Sequence, residues 1–132
     1  MDNYFNAKLD FFRSLNKSDK KNKKAIINMD DVKGKEIAAI INNSVKLIKV
    51  GSNSENDYFI KEYNIKNNKI FITLVNKFNK KEYLLESLMH GEFNIINIAI
   101  AIATALELGI NINDIKKITI FILTAVLFTL GP

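Results

Sequence analysis

The sequence predicts an α/β protein, and three observations carry that prediction. Apolar residues recur at a helical period over residues 2–15 and again, more densely, over 93–108. Residues 24–28 have a short apolar core bounded by polar residues and too short for a helix, so they read as a buried strand, and 45–50, stopped by Gly51, reads as another. Three alternating stretches between residues 58 and 86 are separated by asparagine-bearing turns, the pattern of an antiparallel meander.

Each element has its own signal. In the first helix Tyr4, Phe5, Leu9, Phe12 and Leu15 fall along one stripe. The lysine-rich segment Asn16–Lys24 reads as a loop, and Lys24–Asn28 as the first strand. Asp30 or Asp31 then caps a helix over 32–42, with Ile37, Ile40 and Ile41 on its inner face. Val45–Val50 is the second strand, stopped by Gly51. The meander runs through Tyr58–Ile65, Lys69–Asn76 and Glu82–Glu86, with tight turns at Asn67-Asn68 and Asn79-Lys80. A largely apolar helix follows from Phe93 to Leu108, roughly 24 Å long at the usual rise. Gly109 suits the left-handed position that closes a helix, and Asn113 or Asp114 starts another short one. Two parallel strands alone make an incomplete sheet, because such sheets need neighbours and cover on both faces.

Length and composition bound the reading. A chain of 132 residues holds one domain at most. It has no cysteine, which excludes disulfides and thiolate metal sites and fits a reducing compartment. Met1-Asp2-Asn3-Tyr4 does not lead a basic region into an apolar run, so no secretory signal is expected. The net charge of +5 comes from scattered lysines with one cluster at Lys17, Lys20, Lys21, Lys23 and Lys24. Such a cluster could touch phosphates, but no aromatic residue interleaves it as single-strand binding would require. A solvated loop is the expectation, with neither nucleic acid nor membrane as partner. His90 is the only histidine and reads as a loop residue, so a histidine-based metal site or triad cannot form within these residues.

The segment His90-Gly91-Glu92-Phe93-Asn94-Ile95-Ile96-Asn97 carries the most chemistry. It sets two carboxamides in the first turn of an otherwise apolar helix, where asparagine is a poor resident. Residues three apart share a face, so Asn94 and Asn97 offer paired amides. A carboxamide can meet the N6 donor and N7 acceptor of adenine together. A plainer role also fits, with Asn94 as N-cap and Asn97 on the wetter side. Asn28-Met29-Asp30-Asp31 sits where a strand yields to a helix, the edge at which open α/β sheets bind ligands. Its two aspartates could shape a site, but capping by Asp31 is the expected role.

Three motifs stand in order along the chain: Tyr4-Phe5-Asn6-Ala7-Lys8 with Phe11-Phe12, then Ala25-Ile26-Ile27-Asn28-Met29-Asp30-Asp31, then Gly91-Glu92-Phe93-Asn94-Ile95-Ile96-Asn97. Together they resemble the central domain of the Mur ligases, the ATP-dependent amide-bond-forming enzymes of peptidoglycan synthesis. The resemblance runs from Asp2 to about Gly109 and is greatest to the branch that adds the third stem-peptide residue. It implies the C-terminal half of that domain, a partial parallel sheet with helices plus a three-stranded antiparallel meander, over residues 1–110. A short helix and a divergent apolar tail then occupy 111–132.

The resemblance also implies roles. Asn94 and Asn97 would contact the adenine of ATP. Lys8 would be carbamylated by carbon dioxide, turning a cation into an anion whose two hard oxygens suit Mg2+. Without the motif, Lys8 reads as an exposed helix lysine on the same face as Tyr4. The intact enzyme would use ATP and Mg2+ to join a diamino acid to UDP-MurNAc-dipeptide through an acyl phosphate, in the cytoplasm.

Departures from the family pattern limit this. No Gly-x-x-Gly-Lys-Thr phosphate loop occurs in these residues. The family's histidine-bearing segment, its C-terminal ligase domain and the arginine-bearing segment after the last helix are also missing. A piece that does not catalyse alone is therefore expected, and no catalytic residue is assigned. The alternative is a small basic nucleotide- or nucleic-acid-binding module without catalysis. Ile118–Leu130 is a 13-residue uncharged run, short of the about 20 residues a transmembrane helix needs. It reads as a buried strand or helix, or as an aggregation-prone tail.

Overall fold

The computed structural model describes residues 2–88, 91–92 and 94–117. His90, expected in a loop, Phe93, expected to open a helix, and the apolar run 118–130 lie outside the described residues.

Helix α1 spans Asp2–Lys17 and buries Phe12 and Leu15. Strand β1 is Lys24–Asn28, helix α2 is Val32–Ile40 and strand β2 is Lys46–Gly51. The meander is β3, Tyr58–Lys66, β4, Lys69–Asn76, and β5, Glu82–Ser87. Helix α3 covers Asn94–Glu107 and helix α4 Ile112–Lys117. Each element matches a sequence expectation to within a few residues. None of the described helices is long and apolar enough to cross a membrane.

All five strands join in one sheet, ordered β1-β2-β3-β4-β5. β1 and β2 pair in parallel from Lys24↔Lys46 to Asn28↔Val50. The meander is grafted on through a short parallel pairing, Val50↔Tyr58 and Gly51↔Phe59. β3 and β4 are antiparallel and turn at Asn67 and Asn68, whose φ of 52° and 62° are the left-handed values a two-residue hairpin needs. The second connection is wider than the sequence suggests. Asn79 and Lys80 sit in a loop that Asn76 organises, its carbonyl accepting from Lys80 N at 2.8 Å and its side chain from Phe78 N at 2.9 Å.

Alternation along β1 divides the core. Ala25 and Ile27 face one side, where they pack with Phe12, Leu15, Ile37 and Val45 of the α1/α2 layer. Ile26 faces the other side, with Ile48, Val50, Ile70, Leu74 and the apolar stripe of α3. Ile98, Ala99, Ile102 and Ala103 of α3 are almost fully buried there, each isoleucine worth about 1.5–3 kcal/mol of burial.

Helix α2 ends before the expected residue 42. Ile41 adopts extended backbone, and Asn16 takes over the helix end, its amide donating to Ile40 O at 2.7 Å and its oxygen accepting from Asn42 N at 3.0 Å. The lysine-rich segment departs further from expectation. Lys23 is buried and its ammonium donates to Leu15 O, Ser18 O and Ser44 Oγ at 2.9, 2.7 and 3.1 Å. The carbonyl end of α1 carries negative dipole, so a cation there is compensated rather than orphaned.

Candidate functional site

The carboxyl edge of β1 and β2 is built by glycines that allow close approach. A Cβ on Gly34, near the start of α2, would lie 1.8 Å from Asn28 O. Its absence lets α2 settle directly on the end of β1. Asp31 caps α2 as expected, its carboxylate accepting from Lys33 N at 3.0 Å. Asp30 takes a different role. Its carboxylate accepts from Ser52 N at 2.9 Å and Ser52 Oγ at 2.6 Å, tying the end of β1 to the turn after β2. Gly51 makes room for this, since a Cβ there would stand 2.7 Å from both Asp30 Oδ1 and Asn56 Nδ2.

Two clefts open on either side of Asp30. One, of about 470 Å³, is lined by Asp30, Ser52, Lys61, Tyr63, Glu92 and Ile95. The other, of about 700 Å³, is walled by Met29, Lys35, Lys49, Asn53 and Asn56. A depression of about 520 Å³ on the meander face, around Phe71 and Leu84, contains none of the expected site residues.

The amino end of α3 reaches the first cleft. Gly91 holds φ +90°, a value glycine adopts freely. Its carbonyl accepts from Asn94 N at 3.1 Å, and Glu92 O accepts from Ile95 N at 3.1 Å. Asn94 is only 7% exposed, Asn97 is half-buried, and each has a partner within the chain. Both residues lie in the first turn of α3, but Glu92, Ile95 and Ile96 rather than either asparagine line the cleft.

Lys8 lies elsewhere. It is half-buried on α1, with its ammonium 4.6 Å from the centroid of the Tyr4 ring, a cation–π distance. Its helix packs in the α1/α2 layer, whereas α3 packs on the opposite face of the sheet. The structure thus brings Asn94 and Asn97 together and leaves Lys8 in the other layer.

The far end of α3 holds a group the sequence reading missed. Glu107 Oε1 accepts from Lys24 Nζ at 3.1 Å and lies 3.8 Å from Lys46 Nζ, while Oε2 accepts from Tyr58 Oη at 2.7 Å. Lys24 also donates to the carbonyl of Glu107 at 3.0 Å. Burial pushes the Glu107 carboxyl up, but the hydrogen bonds from Tyr58 and Lys24 and the charges of Lys24 and Lys46 outweigh it, leaving a net downward shift. Burial first, then the bond to Glu107 and its charge, raise the Tyr58 phenol well above its ordinary value. One sequence signal was available for Glu107. A carboxylate at the carbonyl end of an apolar helix opposes the dipole, which calls for compensating cations.

Residues 1–105 match the family model described as the Mur ligase middle domain. Over 131 residues the chain is 36% identical to the UDP-N-acetylmuramoyl-L-alanyl-D-glutamate–2,6-diaminopimelate ligase of Buchnera aphidicola subsp. Baizongia pistaciae, covering 94% of this chain and 24% of that protein. It is 31% identical over 97 residues to the UDP-N-acetylmuramate–L-alanine ligase of Wigglesworthia glossinidia brevipalpis, covering 70% of this chain and 20% of the relative. A solved UDP-N-acetylmuramoyl-L-alanyl-D-glutamate–2,6-diaminopimelate ligase shares the fold at a TM-score of 0.70 and 20% identity, over 97% of this chain and 25% of that one. The chain thus spans between a fifth and a quarter of the length of the relatives it matches.

Proposed function

This chain belongs to the Mur ligase family, and on that premise we propose that it supplies the adenine-facing part of an ATP-dependent ligase of peptidoglycan synthesis. The step we assign is addition of a diamino acid to UDP-MurNAc-dipeptide in the cytoplasm. The name of the Buchnera relative, which matches almost the whole chain, supports that step. The Wigglesworthia relative is named for a different step, so the shared family weighs more than either name. Residues 1–110 make up the family portion in this reading, and 111–132 a short helix with an apolar tail.

One observation carries the proposal. Asn94 and Asn97 stand one turn apart at the amino end of α3, beside the cleft at the carboxyl edge of β1 and β2. That edge is where open α/β sheets take ligands. A purine arriving there would lie against Glu92, Ile95 and Ile96, with Asn97, the more exposed of the two asparagines, next along the helix.

Lys8 enters as the residue that would face Mg2+ after carbamylation. Among the described residues no group of three or more His, Cys, Asp or Glu could hold a metal ion. In this reading the carbamate would join water and phosphate oxygens as donors, a set that suits magnesium. Bound magnesium would offset the phosphate charge during transfer to the substrate carboxylate. The amine of the diamino acid would then displace phosphate from the acyl phosphate.

These 132 residues contain no phosphate loop, so turnover would require the rest of an enzyme. The test is titration of the chain with AMP and GMP, followed by the side-chain amide signals of Asn94 and Asn97. Wild type should favour AMP, and Asn97→Ala should abolish the preference. Equal response to both nucleotides would remove the adenine assignment, and substrate-dependent ATP turnover by the purified chain would remove the claim of inactivity.

A further inference from the structure

Glu107 makes contact with the opening residue of each of three neighbouring strands. Lys24 begins β1, Lys46 begins β2 and Tyr58 begins β3. The remaining seat of α3 on the sheet is largely apolar, through Ile98, Ala99, Ile102 and Ala103. Apolar contact is non-directional. It resists lifting the helix off the sheet far more than sliding or rolling it in place. Hydrogen bonds and ion pairs have direction and fixed length, and this carboxylate with its own carbonyl supplies them at one end of the helix.

We infer that Glu107 is a positioning residue: it fixes the axial position and roll of α3 against β1, β2 and β3, and so sets where Asn94 and Asn97 stand at the opposite edge. From Asn94 to Glu107 the helix is about 20 Å long. An α-helix of that length is stiff, so a displacement at its carbonyl end reaches its amino end. The residue type argues against a role in burial alone. An apolar side chain would serve burial as well as an ion pair or better, and a carboxylate at this terminus opposes the dipole. The depressed Glu107 carboxyl agrees with a charge held by its neighbours at neutral pH.

The inference rests on the adenine reading of Asn94 and Asn97. Its test compares wild type, Glu107→Gln and Tyr58→Phe in AMP and GMP titrations, beside urea melts of each. Both variants should remain folded at room temperature. Their preference for AMP over GMP should fall about five-fold or more, the least that one lost bidentate base contact predicts. The side-chain amide signals of Asn94 and Asn97 should move even without nucleotide. A variant that loses stability yet keeps both the base preference and those signals would reduce Glu107 to a structural residue and overturn the inference. A wild type without preference for AMP would remove the adenine reading and this inference with it, before any variant is compared. Should Glu107→Gln not fold, Tyr58→Phe keeps both lysine pairs and decides by the same readouts.

Discussion

Tyr58 Oη donates to Glu107 Oε2 across 2.7 Å, joining the first residue of β3 to the last residue of α3. Tyr58 stands at the only parallel seam between the βαβ portion and the meander among the described strands, where β2 and β3 share just Val50↔Tyr58 and Gly51↔Phe59, and Glu107 also reaches β2 through Lys46. A helix pinned to three strands reinforces a seam that backbone pairing alone holds weakly.

That arrangement gives the fold a dependence on pH. Burial pushes the Glu107 carboxyl up, but bonds from Tyr58 and Lys24 and two lysine charges bring it net below the usual range. A carboxyl depressed in the folded state stabilises that state above its unfolded pKa, and the contribution is lost as pH falls through the folded value. Glu107→Gln should cost about 1–3 kcal/mol at neutral pH. The gap between wild type and variant in urea melts should narrow as pH drops below about 4. A gap that stays constant from neutral pH to about 3 would contradict this assignment.

Gly34→Ala tests the approach of α2 to β1. Its new Cβ would meet Asn28 O at 1.8 Å, and the obstacle is backbone rather than a flexible side-chain tip. The helix must shift or the strand end must yield, which costs about 1–3 kcal/mol or more. Urea melts should show that loss although alanine is the better helix former. Equal or greater stability would mean that α2 does not seat as described.

Lys23→Met keeps most of the side-chain stem and removes the ammonium. Leu15 O, Ser18 O and Ser44 Oγ would lose a donor at once, in a place that is 5% exposed at Lys23. A loss of about 1–3 kcal/mol is expected, with faster hydrogen exchange in the last turn of α1. By contrast, Lys20→Met and Lys21→Met change exposed positions and should stay within about 0.5 kcal/mol of wild type.

Much of this could be read from residue order. The helical stripe of Phe12 and Leu15, the short apolar run of Ala25, Ile26 and Ile27, and the Asn67-Asn68 turn all encode local conformation. Each appears in the structure where periodicity and turn chemistry put it. Asp31 as cap was legible because its donor, Lys33 N, is two residues away. Asp30 looked equivalent on paper, yet its partner is Ser52, twenty-two residues on. Nothing local distinguishes the two aspartates.

The chain's own order settled which segments become helix or strand and that Asn94 and Asn97 fall in the first turn of α3. Folding in three dimensions decided the rest. It turned Lys23 inward from the lysine run, set Lys8 in the layer opposite Asn94 and Asn97, and brought Lys24 of the same run to Glu107 across 83 positions. The physical reason is range. Backbone preference and periodicity act over a few residues, whereas the partner a charge finds depends on how distant elements pack.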